Sequence, residues 1–176
     1  MSKLFCSLIL VLVFIVSGCS QSGKVSTTDQ DSTTKTTKTT NQKDAVQKLV
    51  KTDAAWKSQL SDDEYYILRK KGTERAGTGK YLDNKEKGVY HCVGCSLPLF
   101  TSDSKFKSGT GWPSFYEPYD ARYVLEVADN SHGMVRNEIV CARCDGHLGH
   151  VFDDGPKPTG LRYCVNGNIL EFEEQP

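Results

Sequence analysis

The sequence carries no excess of charge of either sign: 22 Lys and Arg stand against 22 Asp and Glu in 176 residues, with no basic stripe and no block of like charge. That balance removes the electrostatic footprint on which nucleic-acid binding rests, so no nucleic acid is expected as a partner and a small-molecule or peptide substrate is. A long hydrophobic run is missing too. The longest, Leu4–Val16, spans about 13 residues, short of the ~20 that a bilayer-crossing helix needs. There is no evenly spaced cysteine ladder: Cys6, Cys19, Cys92, Cys95, Cys141, Cys144 and Cys164 are too irregularly placed for a simple disulfide framework. After Gly79 no sustained helical period returns, which argues against a helical bundle. The length, and the contrast in composition between the two ends, leave room for one folded domain.

What is present sorts by position. Lys3 followed by the short apolar run has the form of a signal peptide, expected to cover residues 1–18. Directly after it, Val16-Ser17-Gly18-Cys19 resembles the lipobox of bacterial lipoproteins, which implies cleavage before Cys19 and a lipid on that cysteine. An uncleaved anchor with an incidental cysteine is the competing reading. The expected location is the bacterial cell envelope, as a membrane-anchored lipoprotein facing outside the cytoplasm, because two or more acyl chains give stable attachment. Residues 19–43 are Thr, Ser, Lys, Gln and Asp with almost nothing apolar. They read as a disordered tether with a reach of roughly 25–30 Å.

The folded domain is expected over residues 44–176. Val46, Leu49, Val50 and Trp56 form a partial helical stripe between Asp44 and Leu60, and Ser61-Asp62-Asp63-Glu64 has the form of a capping box opening a second helix that Gly72 stops. Beyond Gly79, segments rich in aromatic and β-branched residues alternate with Gly, Asn, Asp and Pro. Strands are expected near Val89–Cys92 and over Arg122–Val127, Val135–Cys141, Leu161–Val165 and Ile169–Phe172. The fold class is therefore mainly β, antiparallel, with N-terminal helices.

Cys92-Val93-Gly94-Cys95 and Cys141-Ala142-Arg143-Cys144 are two C-x-x-C knuckles 45 residues apart. Two tight turns can bring four thiolates into the tetrahedral shell that zinc favours, so one structural Zn2+ on Cys92, Cys95, Cys141 and Cys144 is expected, with Gly94 allowing the first turn to close. A local disulfide in each knuckle, or a redox pair, is the alternative in an exported protein. A redox pair usually opens a helix after a strand, and nothing helical follows either knuckle.

Cys164 stands apart from these. On a strand Arg162, Cys164 and Asn166 share a face, and a cation beside a thiol favours the thiolate. His147 and His150, bracketed by Gly146 and Gly149, can present two imidazoles from a loop as proton donors. Packing, or a second metal site, is the other reading of a histidine pair.

The combination of GTGWPSFYEP at 109–118, the two knuckles, HLGHVFDDGP at 147–156 and RYCVNG at 162–167 resembles the methionine-R-sulfoxide reductase family, type B, from about Ser61 to Phe172. The resemblance implies a fold of two small antiparallel sheets and reduction of methionine-R-sulfoxide in proteins or peptides. It implies that Cys164 is the nucleophile, that Trp112, with Phe115 nearby, receives the substrate, and that His147, His150 and Asn166 organise and protonate the sulfoxide oxygen. Arg162 then favours the thiolate, Asp154 orders the histidine loop, and Cys164 passes through a sulfenic acid. Two-cysteine members carry a resolving cysteine where this chain has Thr110. A thioredoxin-like protein or a small thiol is therefore the expected reductant. The competing function is a zinc-ribbon-like binding module using Trp112 and Phe115 as a docking surface.

Overall fold

The computed structural model describes residues 45–175. The expected signal peptide, the Cys19 lipid site and the tether lie outside the described residues. Helix α1 covers Asp53–Gln59, capped by the Thr52 hydroxyl, which accepts from the Ala55 amide at 3.2 Å. Helix α2 covers Asp62–Lys70 and opens on the expected capping box: Ser61 Oγ accepts from the Glu64 amide at 3.4 Å, and Glu64 Oε2 accepts from the Ser61 amide at 2.9 Å. Three acidic residues lie in its first turn and Arg69 and Lys70 in its last, matching the helix dipole at both ends. Lys71 takes the left-handed capping conformation, and a Cβ on Gly72 would lie 2.2 Å from the exposed Tyr66 ring, which would have to move aside.

One helical expectation is corrected. Residues 45–52 are not helical; Val46 and Leu49 pack on the core, the Leu49 amide donates to the Arg143 carbonyl at 2.7 Å, and Val50 is 87 % exposed. The segment lies along the second knuckle, and its apolar residues serve an irregular backbone instead of a helical face.

Among the described residues nine strands follow: β1 (Gly88–Cys92), β2 (Pro98–Thr101), β3 (Lys105–Phe106), β4 (Ser114–Phe115), β5 (Val124–Asp129), β6 (Arg136–Cys141), β7 (His147–Phe152), β8 (Arg162–Val165) and β9 (Leu170–Glu174). They form two antiparallel sheets, one of three strands in the order β2-β1-β9 and one of six in the order β3-β4-β8-β7-β6-β5. Phe115 on the larger sheet stacks on Phe100 of the smaller at 4.4 Å and meets Tyr90 edge-on at 5.1 Å. All three rings are fully buried, each a burial worth roughly 1.5–3 kcal/mol.

The strand β7, centred in the larger sheet, carries a bulge. Ile139 lies opposite Gly149, yet Val140 lies opposite His147, so Leu148 is the extra residue. A regular strand would send His147 and His150 to opposite faces; the bulge changes the parity and puts both on one. Leu148 points into the core and is fully buried. Gly149 makes this possible: its φ is +153°, and a Cβ there would lie 2.0 Å from the Cys164 carbonyl oxygen on β8. Replacing Gly149 with Ala is expected to destabilise the domain by about 1–3 kcal/mol through backbone strain and to lower activity by moving His150 off its register with Cys164. Urea unfolding and a turnover assay measure the two effects; an unchanged unfolding midpoint would contradict the close approach.

Candidate functional site

The four knuckle cysteines converge. Cys92 ends β1 of the small sheet and Cys141 ends β6 of the large one. All four sulfurs lie within 4.8 Å of one another, and the short contacts run between knuckles, 3.7 Å for Cys92–Cys144 and 3.4 Å for Cys95–Cys141. All four are free thiols, not the local disulfides of the alternative reading. Such a cluster can hold one metal ion. The two turns are built alike: the amides of Ser96 and Asp145 donate to the carbonyls of Cys92 and Cys141 at 2.7 and 2.9 Å. Both residues take positive φ. Gly94 does not, so the tight turn rests on Ser96 and not on the glycine; Gly94 packs instead against Leu68 and Trp56. The helices hold the cluster through Gln59, whose amide donates to the Gly94 carbonyl at 2.9 Å, and Arg69, which donates to the Cys144 carbonyl at 2.8 Å.

On another face of the large sheet a cavity of about 500 Å³ is lined by Trp112, His147, His150, Phe152, Cys164 and Asn166, among others. Cys164 lies directly opposite His150 in the β7–β8 register and opposite Ser114 in the β4–β8 register. Its thiol is pushed up by burial, while the Thr110 hydroxyl, 3.9 Å from the sulfur, and the Arg162 guanidinium pull it down without overcoming that rise. The expected lowering by a neighbouring cation is therefore present but outweighed.

The histidines stand on a strand, not on the expected loop. His147 shares a 2.8 Å hydrogen bond between Nδ1 and Glu138 Oε1, and His150 one of 2.8 Å between Nε2 and Asp129 Oδ2. Their rings are 5.5 Å apart. Glu138 is itself held by Lys71 at 2.7 Å, and Asp129 by Arg136 at 2.8 Å. These two carboxylates order the histidines. Asp154, expected to do so, instead forms a two-pronged pair with Arg162 at 2.8 Å for each contact, and Arg162 also lies over the Phe152 ring at 4.3 Å. Phe115 is a core residue and does not reach the cavity, which removes the docking surface that the binding-module reading needed.

A family model described as the SelR domain matches residues 60–174. Curated proteins similar to this chain include the peptide methionine sulfoxide reductase MsrB of Thiobacillus denitrificans, 59% identical over 122 residues, which are 69% of this chain and 92% of that protein. The MsrB of Hahella chejuensis is 58% identical over 125 residues (71% and 90%), and that of Agrobacterium fabrum 57% identical over 126 (72% and 93%). The chain belongs to the methionine-R-sulfoxide reductase family, type B. Its mainly β fold, with two antiparallel sheets and a four-cysteine cluster, accords with that membership.

Within this type B domain, sequence reasoning missed Glu138, Asp129 and Glu74. Glu74 is buried, and burial raises its carboxyl against the pull of two backbone amides, Gly167 at 2.6 Å and Asn168 at 2.8 Å. Its amide donates to Asn166 Oδ1 at 3.1 Å and its carbonyl accepts from the Trp112 indole at 3.2 Å. Asn166 also donates to the Leu148 carbonyl at 3.0 Å, so its carboxamide braces the bulge as well as lining the cavity. A lone glutamate between Thr73 and Arg75 gave no periodic signal. Glu138 was legible only as an inward-pointing acid on an expected strand.

Burial holds the His147 imidazole below its ordinary value of 6.5 even against Glu138. Burial raises the Glu138 carboxyl, but Lys71 and His147 pull harder and hold it below 4.5. For both groups the unfolded chain takes up a proton before the folded one, so their contribution is present above the ordinary values and lost as pH falls. Urea unfolding between pH 7.5 and 5.5 is expected to show a smaller loss of stability in His147→Gln than in the native protein. Parallel pH dependences would show that His147 is not held neutral.

Proposed function

We propose that the chain reduces the R epimer of methionine sulfoxide, in proteins or peptides, to methionine, with Cys164 as the attacking thiol. The observation that carries this reading is the β7–β8 register, which sets Cys164 against His150 in a cavity walled by Trp112, with each histidine fixed by its own carboxylate. A sulfoxide sulfur is a poor electrophile until its oxygen is protonated, so a thiolate and an acid must address the two atoms together. Trp112, its indole held by Glu74, is the apolar wall for the substrate methyl group. His150, with Nε2 bound to Asp129, has Nδ1 left for the substrate oxygen, and His147 and Asn166 order it. Arg162, held by Asp154, favours the Cys164 thiolate. The sulfoxide oxygen passes to Cys164, giving methionine and a sulfenic acid. With Thr110 beside Cys164, an external thiol, from a thioredoxin-like protein or a small molecule, then condenses with the sulfenic acid to a mixed disulfide, releasing water, and a second thiol of the reductant frees Cys164 and leaves the reductant as a disulfide. The test is turnover on a peptide carrying either epimer: the R form is consumed and the S form is not, Cys164→Ser loses about 10³-fold or more, and a dimedone probe traps the oxidised native Cys164. Equal activity in Cys164→Ser would refute the assignment.

The cluster of four cysteines suits one Zn2+. At Zn–S distances of about 2.3 Å a tetrahedral shell has edges of about 3.8 Å, close to the contacts of 3.4 and 3.7 Å between the knuckles. Four thiolates leave no open position, so the ion is structural. We further propose that the chain is a lipoprotein anchored through Cys19 in the bacterial envelope, where it repairs oxidised envelope proteins; the support is Val16-Ser17-Gly18-Cys19 after the short apolar run. Mass spectrometry of the mature protein, native and denatured, is expected to show one zinc, absent from Cys95→Ser, and acyl chains on an N-terminal Cys19. A folded metal-free protein, or an unlipidated one, would remove the corresponding claim.

A further inference from the structure

We propose that Ser114, Ser108 and Thr110 form a chain of hydroxyl donors ending on Cys164 that stabilises its ionised sulfur, with Thr110 a catalytic residue in contact with that sulfur and the two serines positioning residues. The distances favour one direction of the protons. Ser114 Oγ donates to Ser108 Oγ at 2.8 Å, a closer acceptor for its single proton than the Trp112 carbonyl at 3.1 Å, and Ser108 Oγ also accepts from the Thr110 amide at 3.4 Å. With both lone pairs occupied, the Ser108 proton turns to its other neighbour, Thr110 Oγ1, at 2.8 Å. The Thr110 proton is then left for Cys164 Sγ, 3.9 Å away. Aligned donors of this kind polarise one another, and a hydrogen bond to the charged form of a group favours that form.

The backbone holds the chain in place. Ser114 is fully buried and lies opposite Cys164 in the β4–β8 register. Thr110 sits between Gly109 and Gly111, both at positive φ, and the Gly111 carbonyl accepts from the Gly77 amide at 2.8 Å, which ties the turn down. Ionisable groups face Cys164 from several elements: Arg162 on β8, held by Asp154, His147 and His150 on β7, and, elsewhere in the cavity lining, Lys70 and Lys71 at the end of α2, Asp129 on β5, His132, and Arg136 and Glu138 on β6. Neither β4 nor the turn at 108–112 brings an ionisable group, so on that side the hydroxyls are the polar support. The Thr110 hydroxyl and Ser114 both act to lower the thiol against its burial.

The inference rests on Cys164 as the attacking thiol, but its test reads the ionisation of the sulfur without turnover, so the two fail separately. Alkylation of Cys164 by iodoacetamide is followed against pH in the full metal-bound chain, by peptide mass mapping. Thr110→Val, which keeps the shape and removes the donor, is expected to raise the midpoint by about one pH unit, a tenfold loss of thiolate at a given pH below it. Thr110→Ser should restore the native profile, and Ser108→Ala, whose hydroxyl reaches the sulfur only through Thr110, should raise the midpoint by less. The kcat/KM for a sulfoxide peptide should fall with the thiolate fraction. A Thr110→Val profile that overlays the native one, or equal shifts in Thr110→Val and Thr110→Ser, would overturn the proposal. Should Thr110→Val fail to fold, Ser108→Ala decides: an unshifted profile refutes the chain.

Discussion

The convergence of four thiols at the junction of the two sheets is the constraint from which the rest of the architecture follows. Cys92 ends a strand of the small sheet and Cys141 a strand of the large one, so their union fixes how the two sheets meet. The helices pack over the knuckles, with Leu68 against Gly94 and Gly146 and Arg69 on the Cys144 carbonyl. Even the irregular segment before α1 is pinned there through Leu49. A chain of this size buries a limited core, and the aromatic contact of Phe100, Phe115 and Tyr90 fills only the space between the sheets. A bound ion at the junction adds its binding free energy to folding. The knuckles close through backbone hydrogen bonds and left-handed residues, so the geometry of the cluster is built into the chain.

The reactive cavity draws on a different part of the same sheet. One extra residue in β7 puts both histidines on the face that Cys164 shares, and Gly149 is the only residue type that fits beneath the β8 carbonyl there. Each imidazole is then oriented by an acid from the adjacent β6–β5 pair, and each acid is neutralised by a cation, Lys71 or Arg136. Buried charges paired in this way avoid the desolvation cost that an isolated carboxylate would carry. Glu74 links the loop after α2 to Trp112, Asn166 and the turn at Gly167 and Asn168. The apolar wall and the histidine strand are thereby connected through the Glu74 backbone and the Asn166 side chain, which donates to the Leu148 carbonyl.

Local chemistry was legible in the sequence; chemistry that depends on register was not. The capping box at Ser61 and Glu64, the knuckles, and the strands ending at Cys92, Cys141 and Val165 follow from patterns a few residues long, and the structure has them. The stripe of Val46, Leu49 and Val50 misled, because apolar residues at helical spacing also suit an irregular segment laid along a groove. His147–Phe152 looked like a loop because its glycines and polar residues obscure a strand whose bulge needs them. Asp154 and Phe115 were placed by their neighbours in the motif, yet Asp154, beyond the end of β7, turns to Arg162, and Phe115 on β4 turns to the core, since alternate residues on a strand face opposite ways. The partners of the histidines lie on other strands, and no spacing within one segment could have named Asp129 or Glu138.

Burial of Cys164 sets two effects against each other. Raising a thiol's pKa by one unit lowers its thiolate fraction near neutral pH about tenfold, while intrinsic nucleophilicity rises by only about 0.4–0.5 of a log unit in thiol exchange reactions. A desolvated cysteine with nothing to support its charge is therefore slower near neutrality, although each thiolate is more reactive. The gain from burial is kept only where neighbours restore part of the thiolate population without letting water in. Arg162 does so from the same strand, where its own charge is tied to Asp154 and so acts on the sulfur at reduced strength. Hydroxyl groups suit the remaining side of the site: they donate to the anion, bring no net charge that would compete for the carboxylates holding the histidines, and are small enough to leave the cavity to the substrate.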